Sequence, residues 1–174
     1  SLSDISEFLK TLNLEIEIKK TNSFTIPRIS QLTLKTNQFN LTTKRYHEDQ
    51  IKKFSEDKNI LIGCAQIRDK FGDNGITGVF IVEKTNYDEW FLDTFLLSCR
   101  VMGREAEKAI LYFIINEAKN NNIKRLKAKF IPTEKNKPIE NFLPDCQFYK
   151  KDGVWIYNLD KPFNMPDFLT LSEE

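Results

Sequence analysis

The segment Glu89–Lys119 constrains the fold more than any other part of the chain. It begins with the run Glu89–Leu97, in which apolar side chains occupy both alternating sets of positions. This pattern predicts a strand buried on both faces, which is a central strand of a sheet. Strict alternation puts Trp90, Leu92 and Leu96 on one face and Phe91, Phe95 and Leu97 on the other. The segment ends with apolar residues at helical spacing, which predict a helix packed against that sheet: Ala106, Ile110, Phe113 and Ile114.

A short turn with one glycine and two arginines joins this strand to the helix. The first N–H groups of a helix have no intrahelical partner and point outward at the positive end of the helix dipole. A strand that runs through such a turn into a helix is therefore suited to anion binding. We place the candidate functional site at this turn, around Arg100, Gly103 and Arg104.

Composition excludes several classes of function. The 174 residues suit one domain, since domains have roughly 100–200 residues. With 26 basic and 25 acidic residues, the chain lacks the basic excess of a nucleic-acid binder. It also has no secretory signal pattern and no apolar run of the ~20 residues that a membrane helix needs. The chain begins at Ser1 rather than at a methionine, so we expect a fragment of a longer protein.

The cysteines and the histidine indicate the compartment and argue against a metal site. Cys64, Cys99 and Cys146 are odd in number and far apart, so they predict neither a disulfide framework nor a metal cluster. A reducing cytoplasm is the expected location. The single histidine, His47, makes a histidine-based metal site or catalytic triad improbable.

The remaining elements follow from periodicity and turn residues. We predict a linker or N-terminal helix over residues 1–13, a main domain over 14–159 and a C-terminal extension over 160–174, packed only through Phe163 and Phe168. Within the main domain we expect the following: a strand at 14–19, a helix near Pro27, a helix at 47–57, strands at 59–68 and 76–84 joined by an Asp-Asn-Gly turn within 69–75, the strand-turn-helix segment, a strand at 124–131, a short helix at 136–142, and a hairpin of 148–150 with 154–159. The polar loop Thr36–Tyr46 is either a solvated connector or a cover over a pocket.

The element order and the turn together resemble the GNAT acyltransferase superfamily. Its members carry Arg/Gln-x-x-Gly-x-Gly/Ala after the fourth strand, and Arg100, Gly103 and Arg104 fit this motif, while Glu105 stands where the second small residue is expected. The resemblance implies a GNAT-like α/β (α+β) fold with a mixed, mostly antiparallel central sheet flanked by helices. It also implies that backbone amides of the turn hold the pyrophosphate of coenzyme A.

A narrower resemblance covers most of Gln31–Phe148. Four ungapped blocks are similar to the C-terminal region of FkbH-like proteins: QLTLKTNQFNLTTKRY, RDKFGDNGITGV, DTFLLSCRVMGREAE and PTEKNKPIENFLPD. That family implies an upstream HAD-type domain that loads a glyceryl thioester on an acyl carrier protein, in secondary-metabolite or surface-polysaccharide biosynthesis. The C-terminal domain is then implied to handle the acyl group on the carrier. The aspartate-rich HAD motif is absent here, so phosphoglycerate chemistry is not assigned to this chain.

The resemblance implies a set of residues that hold acyl-CoA or the phosphopantetheine of the carrier: Ser98, Cys99, Arg100, Val101, Gly103, Arg104, Glu105 and Asn136. Ser98 and Asn136 would hydrogen-bond the pantetheine amides. Arg100 and Arg104 would make charge-assisted contacts to phosphate, or alternatively form surface salt bridges. Glu105, in the first helical turn, would repel phosphate by roughly 0.3–1 kcal/mol.

Two residues are candidates for catalysis. Cys99 is either a nucleophile for thioester transfer, activated by the arginines and the helix start, or a small hydrophobic residue at a strand end. Asp93 lies mid-strand among apolar residues, so it is either a base with a raised pKa or a member of a structural network. At the position where GNAT enzymes often have a tyrosine general acid, this chain has Leu143, and a glycine expected before Phe148 is Gln147. Tyr46 or Tyr149 would have to substitute for that acid.

Two functions remain open at this point. One is an acyltransferase acting on a short, glyceryl-type acyl group. The other is a non-catalytic module that docks the carrier arm for an upstream HAD-type domain. The expected partners are therefore an acyl carrier protein and that upstream domain, with no nucleic acid, membrane or metal. Both functions depend on a cleft where the sheet opens beside Arg100–Arg104, and on free N–H groups in that turn.

Overall fold

The computed structural model describes residues 1–174 and confirms the predicted order of elements, with two additional strands at Phe39–Asn40 and Thr170–Glu173. The helices are α1 (Leu2–Thr11), α2 (Thr25–Lys35), α3 (Glu48–Glu56), α4 (Ala106–Asn120) and α5 (Phe142–Asp145). The strands are β1 (Glu15–Lys20), β2 (Phe39–Asn40), β3 (Ile60–Asp69), β4 (Gly72–Glu83), β5 (Glu89–Leu97), β6 (Arg125–Ala128), β7 (Tyr149–Lys151), β8 (Val154–Asn158) and β9 (Thr170–Glu173). Short 3-10 turns lie at Cys99–Val101 and Lys137–Ile139.

All strands belong to one sheet, in the order β7-β8-β6-β5-β4-β3-β1-β9, with β2 paired to β5 from outside this path. The pairs β5–β6 and β1–β9 are parallel and the others are antiparallel. The predicted fold class, a mixed and mostly antiparallel sheet flanked by helices, is confirmed. The predicted central position of β4 and β5 is confirmed as well.

Helices cover both faces of the sheet because both faces are apolar. The larger core cluster joins α4 to one face through side chains such as Ile110 and Ile114, and it includes Leu9 and Leu12 near the end of α1. A smaller cluster on the other face packs α2 and α3 on β3 and β4. The site described below lies where β5 leaves this two-sided core.

The alternation predicted for β5 is wrong in its second half. The register pairs Ile81 with Thr94 and Val82 with Leu92, so Asp93 is an extra residue, a β-bulge. One extra residue reverses the facing of everything after it. As a result Phe95 and Leu97 join Trp90 and Leu92 in the larger cluster, whereas Leu96 packs in the smaller one.

The hairpin between β3 and β4 turns earlier than the Asp-Asn-Gly signal predicts. Pairing continues to Asp69 and Gly72, so the turn lies at Lys70 and Phe71, where Asp69 Oδ1 accepts the N–H of Phe71 at 2.8 Å. Asp73 and Gly75 lie inside β4, where the Gly75 N–H donates to Asp73 Oδ1 at 2.7 Å. Register shifts between β3 and β4 accommodate this local turn within the strand.

The C-terminal segment is more integrated than the sequence predicts. Thr170–Glu173 adds a parallel strand to β1, and Leu169 is only 5% exposed. Phe163 and Phe168 do pack against the core, and Met165 and Leu171 pack there too. No helix is long and apolar enough to cross a bilayer.

Candidate functional site

The sheet opens beside the outer half of β5. The parallel pairing of β5 with β6 runs from Glu89 opposite Arg125 to Leu92 opposite Ala128, and it stops at the Asp93 bulge. Beyond the bulge, Phe95–Leu97 has no partner from β6. β6 therefore leaves an opening in the sheet beside the strand end that leads to the turn.

The opening is filled by the chain itself. Phe39 and Asn40 (β2) pair with Leu97 and Leu96. Leu41 continues across the gap, because its N–H donates to Phe95 O at 3.2 Å and its carbonyl accepts the Ile131 N–H at 2.9 Å. We call Phe39–Tyr46 the strap. The strap fills the opening on which both predicted functions depend, so the prediction of a free cleft at this edge of β5 is wrong.

Asp93 anchors the strap. The residue is 3% exposed, and its carboxylate accepts hydrogen bonds from Lys44 Nζ at 2.6 Å and from the Tyr46 hydroxyl at 2.8 Å. Thr94 Oγ1 also donates to it at 2.9 Å, and Thr42 Oγ1 donates to the Asp93 carbonyl at 2.8 Å. Burial and the Asp93 carboxylate raise the pKa of Tyr46, so this hydroxyl stays protonated and donates. Of the two predicted roles for Asp93, this geometry favours the structural network.

Asn136 lies behind the strap and is fully buried. Its amide group donates to Asn40 O at 3.0 Å and to Ile131 O at 2.9 Å, and its oxygen accepts the Thr133 N–H at 2.7 Å. Its amide therefore joins the strap to the segment after β6. Because Asn136 is fully buried beneath the strap, a cofactor cannot contact it in this arrangement. Its predicted contact with pantetheine requires the strap to move.

The turn after β5 leaves consecutive backbone amides free. The N–H groups of Gly103, Arg104, Glu105 and Ala106 make no hydrogen bond within the protein. Gly103 has φ of +80°, and a Cβ added there would meet no atom within 4 Å. Val101 differs, because its N–H donates to Ser98 O at 3.1 Å and its side chain is buried. The second structural condition, free amides in the turn, is met at positions 103–106.

The charged residues of the turn have distinct environments. Arg104 donates to Asp69 Oδ2 at 2.5 Å, and Asp69 is nearly buried, so the guanidinium fixes the turn to the β3–β4 hairpin. Glu105 is paired with Lys108 at 2.5 Å, which offsets its repulsion of an anion. Burial raises the pKa of Glu107, whose Oε2 is buried without a partner.

A cationic cleft of about 500 Å³ opens at the end of β5. Its lining residues are Arg28, Leu32, Lys35, Thr36, Asn37, Gln38, Ser98, Cys99 and Lys135, with no carboxylate among them. None of its three cations forms a salt bridge, and neither does the neighbouring Arg100. Burial, and then the charge of Arg100, lower the pKa of Arg28. The cleft therefore concentrates positive charge, and a bound anion would reduce the repulsion among these cations.

Two predicted site residues lie in this cleft. Ser98 and Cys99 line it at the strand end, and Ser98 Oγ accepts the Arg100 N–H at 3.4 Å. Cys99 is exposed, whereas Cys64 and Cys146 are buried. The structure thus brings Ser98, Cys99 and Arg100 together. It keeps Asp93 and Asn136 apart from them, beneath the strap.

Sequence reasoning missed the cleft cations and the position of the strap. Arg28, Leu32 and Lys35 have the i, i+4, i+7 spacing of one helix face, so the sequence could have shown that two of the three cleft cations lie together. No sequence pattern indicates Lys135, since its position depends on the loop after β6. Of the two alternatives for Thr36–Tyr46, the structure supports the cover rather than the solvated connector.

The sequence matches no protein-family model and no curated protein. Solved structures, in contrast, match over most of the chain. A putative GNAT-family acetyltransferase from Desulfovibrio desulfuricans superposes with a TM-score of 0.65 at 9% identity, over 83% of this chain and 99% of that one. The ribosomal-protein-S18-alanine N-acetyltransferase of Escherichia coli gives 0.61 at 12%, over 84% and 96%. A putative acetyltransferase from Salmonella typhimurium, with its cofactor acetyl-CoA, gives 0.57 at 14%, over 86% and 97%.

At such identities these likenesses establish the fold. The chain has the fold of GNAT acetyltransferases, and the fold implied by the first resemblance is confirmed. Fold alone does not determine chemistry, because one fold can host many activities.

Proposed function

On a GNAT acetyltransferase fold with a free-amide turn, we propose that this domain handles a short acyl group, carried as a thioester on the phosphopantetheine thiol of coenzyme A or of an acyl carrier protein. The observation that most directly supports this proposal is the run of unpaired backbone N–H groups at Gly103, Arg104, Glu105 and Ala106. These donors lie at the start of α4, where the helix dipole favours a phosphate.

The cleft next to this turn supports the same ligand. Arg28, Lys35 and Lys135 line it without salt-bridge partners, and the exposed Arg100 lies close to Arg28. Positive charge without nearby carboxylates favours a multiply charged phosphate compound over a neutral acyl donor. The FkbH-like sequence blocks support three finer parts of the proposal: a glyceryl-type acyl group, a carrier protein and an upstream HAD-type domain. The cytoplasmic location rests on the cysteine pattern.

Within this proposal the residues have separate roles. The amides of the turn and Arg100 bind phosphate, while Arg104 positions the turn through Asp69. Ser98 and Cys99 face the entry of the thiol arm. Cys99 is the candidate nucleophile. Asp93, which the geometry places in a structural network, would act as a base only after Lys44 and Tyr46 release it.

The filled groove favours a second function, a docking module without turnover. Because the strap occupies the edge of β5, a carrier arm can reach the cleft and the turn while Asp93 stays covered. Such a module would present a carrier-bound acyl group to an upstream HAD-type domain.

Titration of the protein with coenzyme A tests the shared part of both functions. Arg100→Ala should weaken binding about tenfold, since it removes an exposed charge without a structural partner. Arg104→Ala is a poorer probe, because it also leaves the nearly buried Asp69 carboxylate unpaired. Lys53→Ala, on the exposed side of α3, is the control and should bind as the wild type does. Wild-type protein that binds no coenzyme A and no holo-carrier would overturn the proposal.

Turnover separates the two functions. An acyltransferase should consume an acyl-CoA or acyl-carrier thioester in the presence of an acceptor, and Arg100→Ala should slow it. A docking module should bind holo-carrier more tightly than apo-carrier and leave the thioester intact. Both assays use the same protein preparation, so one set of measurements distinguishes them.

A further inference from the structure

The strap occupies the place of a ligand. An extended thiol arm in this groove would use the outward backbone groups of Phe95–Leu97, and the strap already uses them. Its other edge bonds to Ile131. The strap and an arm therefore cannot bind the same edge of β5 at the same time.

The strap is held by side-chain hydrogen bonds, by the packed rings of Phe39 and Tyr46, and by Leu41, which is buried in the larger core cluster. Lys44 and Tyr46 both donate to Asp93, and Asn136 donates to Asn40 O. Lys44 is 41% exposed, so its ion pair with Asp93 borders solvent. Phe39 lies between Phe95 and Phe142, with ring centroids at 6.1 and 5.2 Å.

Thr43, in the middle of the strap, is strained. It has φ of +57°, a conformation that a β-branched residue rarely adopts, and its buried hydroxyl has no hydrogen-bond partner. Its N–H donates to Asn40 Oδ1 at 2.9 Å. Strain and an unsatisfied hydroxyl both favour release of the segment, and the Asp93 contacts are among the interactions that oppose this release.

We propose that the strap is a displaceable strand that competes with the thiol arm for the edge of β5, and that Asp93 is the latch that keeps it closed. This inference rests on the proposed function, because the competing ligand is the phosphopantetheine arm. Thr36–Gln38, which leads directly into the strap, lines the cationic cleft. A phosphate can therefore dock at the cleft and turn first, and the arm enters only when Phe39–Leu41 leaves.

Amide hydrogen exchange measured by NMR reports the strap directly. The Leu41 N–H bonds to Phe95 O and the Ile131 N–H bonds to Leu41 O, so both lose their partners if the strap leaves. Saturating coenzyme A should increase the exchange rate of these two amides at least tenfold. Adenosine 3′,5′-bisphosphate has phosphates but no arm, and it should bind without this change.

Latch variants provide the second measurement. Lys44→Met and Tyr46→Phe each remove one contact to Asp93 while keeping most of the side chain's bulk. Each should increase exchange at Leu41 and Ile131 without ligand and tighten coenzyme A binding severalfold, because less of the binding energy goes into opening. Lys52→Met, on the exposed face of α3, should change neither quantity.

The outcomes separate this inference from the proposed function. Coenzyme A binding with Leu41 and Ile131 still protected would overturn the strap inference and leave the proposed function standing. Weaker coenzyme A binding in both latch variants would also overturn it. If neither the wild type nor the latch variants bound coenzyme A or holo-carrier, both proposals would be wrong.

Discussion

Gly103 is the residue at which backbone conformation and ligand access coincide. It has φ of +80°, its N–H is free, and open space surrounds the position of a Cβ. Gly103→Val should weaken coenzyme A binding at least tenfold, about 1.4 kcal/mol, because a side chain there blocks the approach of phosphate to the amides. Isothermal titration calorimetry measures this.

Gly153 provides a matched control for this substitution. At its φ of +77° a substituted side chain would be strained to a similar degree, but Gly153 lies in the β7–β8 hairpin, away from the turn. Gly153→Val should therefore cost similar stability and leave ligand affinity unchanged. Equal affinities for the two folded variants would reject the turn as a phosphate site.

The three thiols should differ sharply in reactivity. Burial raises the pKa of Cys64 and of Cys146 to about 12, whereas Cys99 is exposed in the cleft. At pH 8 the buried Cys64 and Cys146 stay protonated and unreactive, since the thiolate is the reacting form, whereas Cys99 is accessible to a reagent. A colorimetric thiol reagent should thus show one fast equivalent, which Cys99→Ser removes. Two fast equivalents in the folded protein would contradict this burial pattern.

At the scale of elements, β9 extends the sheet beyond the predicted main domain. Leu169, 5% exposed, precedes the strand that pairs with β1. Leu169→Ala should lower the free energy of unfolding by about 2 kcal/mol, at the low end for buried leucines because it lies near the chain terminus. Urea denaturation should show a lower midpoint with an unchanged m-value.

Leu171, two residues further along, is the control for that measurement. It is only partly buried at the edge of the core, so Leu171→Ala should cost clearly less. An equal loss in both variants would mean that β9 as a whole, rather than the buried Leu169 side chain, provides the stability.

Periodicity predicted most of the elements but not the features that shape the site. Apolar spacing identified β5 and α4 because long buried elements repeat one pattern over many residues. The Asp93 bulge was not predictable from alternation, since its cause is tertiary: Lys44 and Tyr46, far back in the chain, both donate to its carboxylate. β2 was missed for the same reason, because a two-residue strand has no period and forms only against the open edge of β5.

The same contrast between local sequence patterns and tertiary contacts applies to the candidate site. The turn at Arg100–Glu105 was predictable because a glycine and charged residues separate the apolar patterns of β5 and α4 in the sequence. The roles of Arg104 and Asn136 depend on Asp69 and Asn40, which are distant in sequence. The residue types therefore indicated where polar groups would cluster. Only the tertiary packing determines which of those groups remain free to bind a ligand.

At the scale of the whole molecule, charge is balanced in total but not in distribution. The net charge is +1, yet no carboxylate lines the cleft of Arg28, Lys35 and Lys135. This local field should contribute to the binding of a phosphate compound. It should be screened by salt, because the Debye length falls from roughly 30 Å at 0.01 M to roughly 3 Å at 1 M.

Reversing one cleft charge tests whether this field contributes to affinity. Lys35→Glu should weaken coenzyme A binding about tenfold at low salt, and the difference from wild type should shrink towards zero at 1 M salt. Lys53→Glu is the control, because it changes the total charge by the same amount. Like Lys35, Lys53 is exposed in the last turn of its helix and forms no salt bridge, but it does not line the cleft. If both variants lost the same affinity, only the net charge would matter. A loss confined to Lys35→Glu that persisted at 1 M salt would indicate a direct contact instead of a screened field.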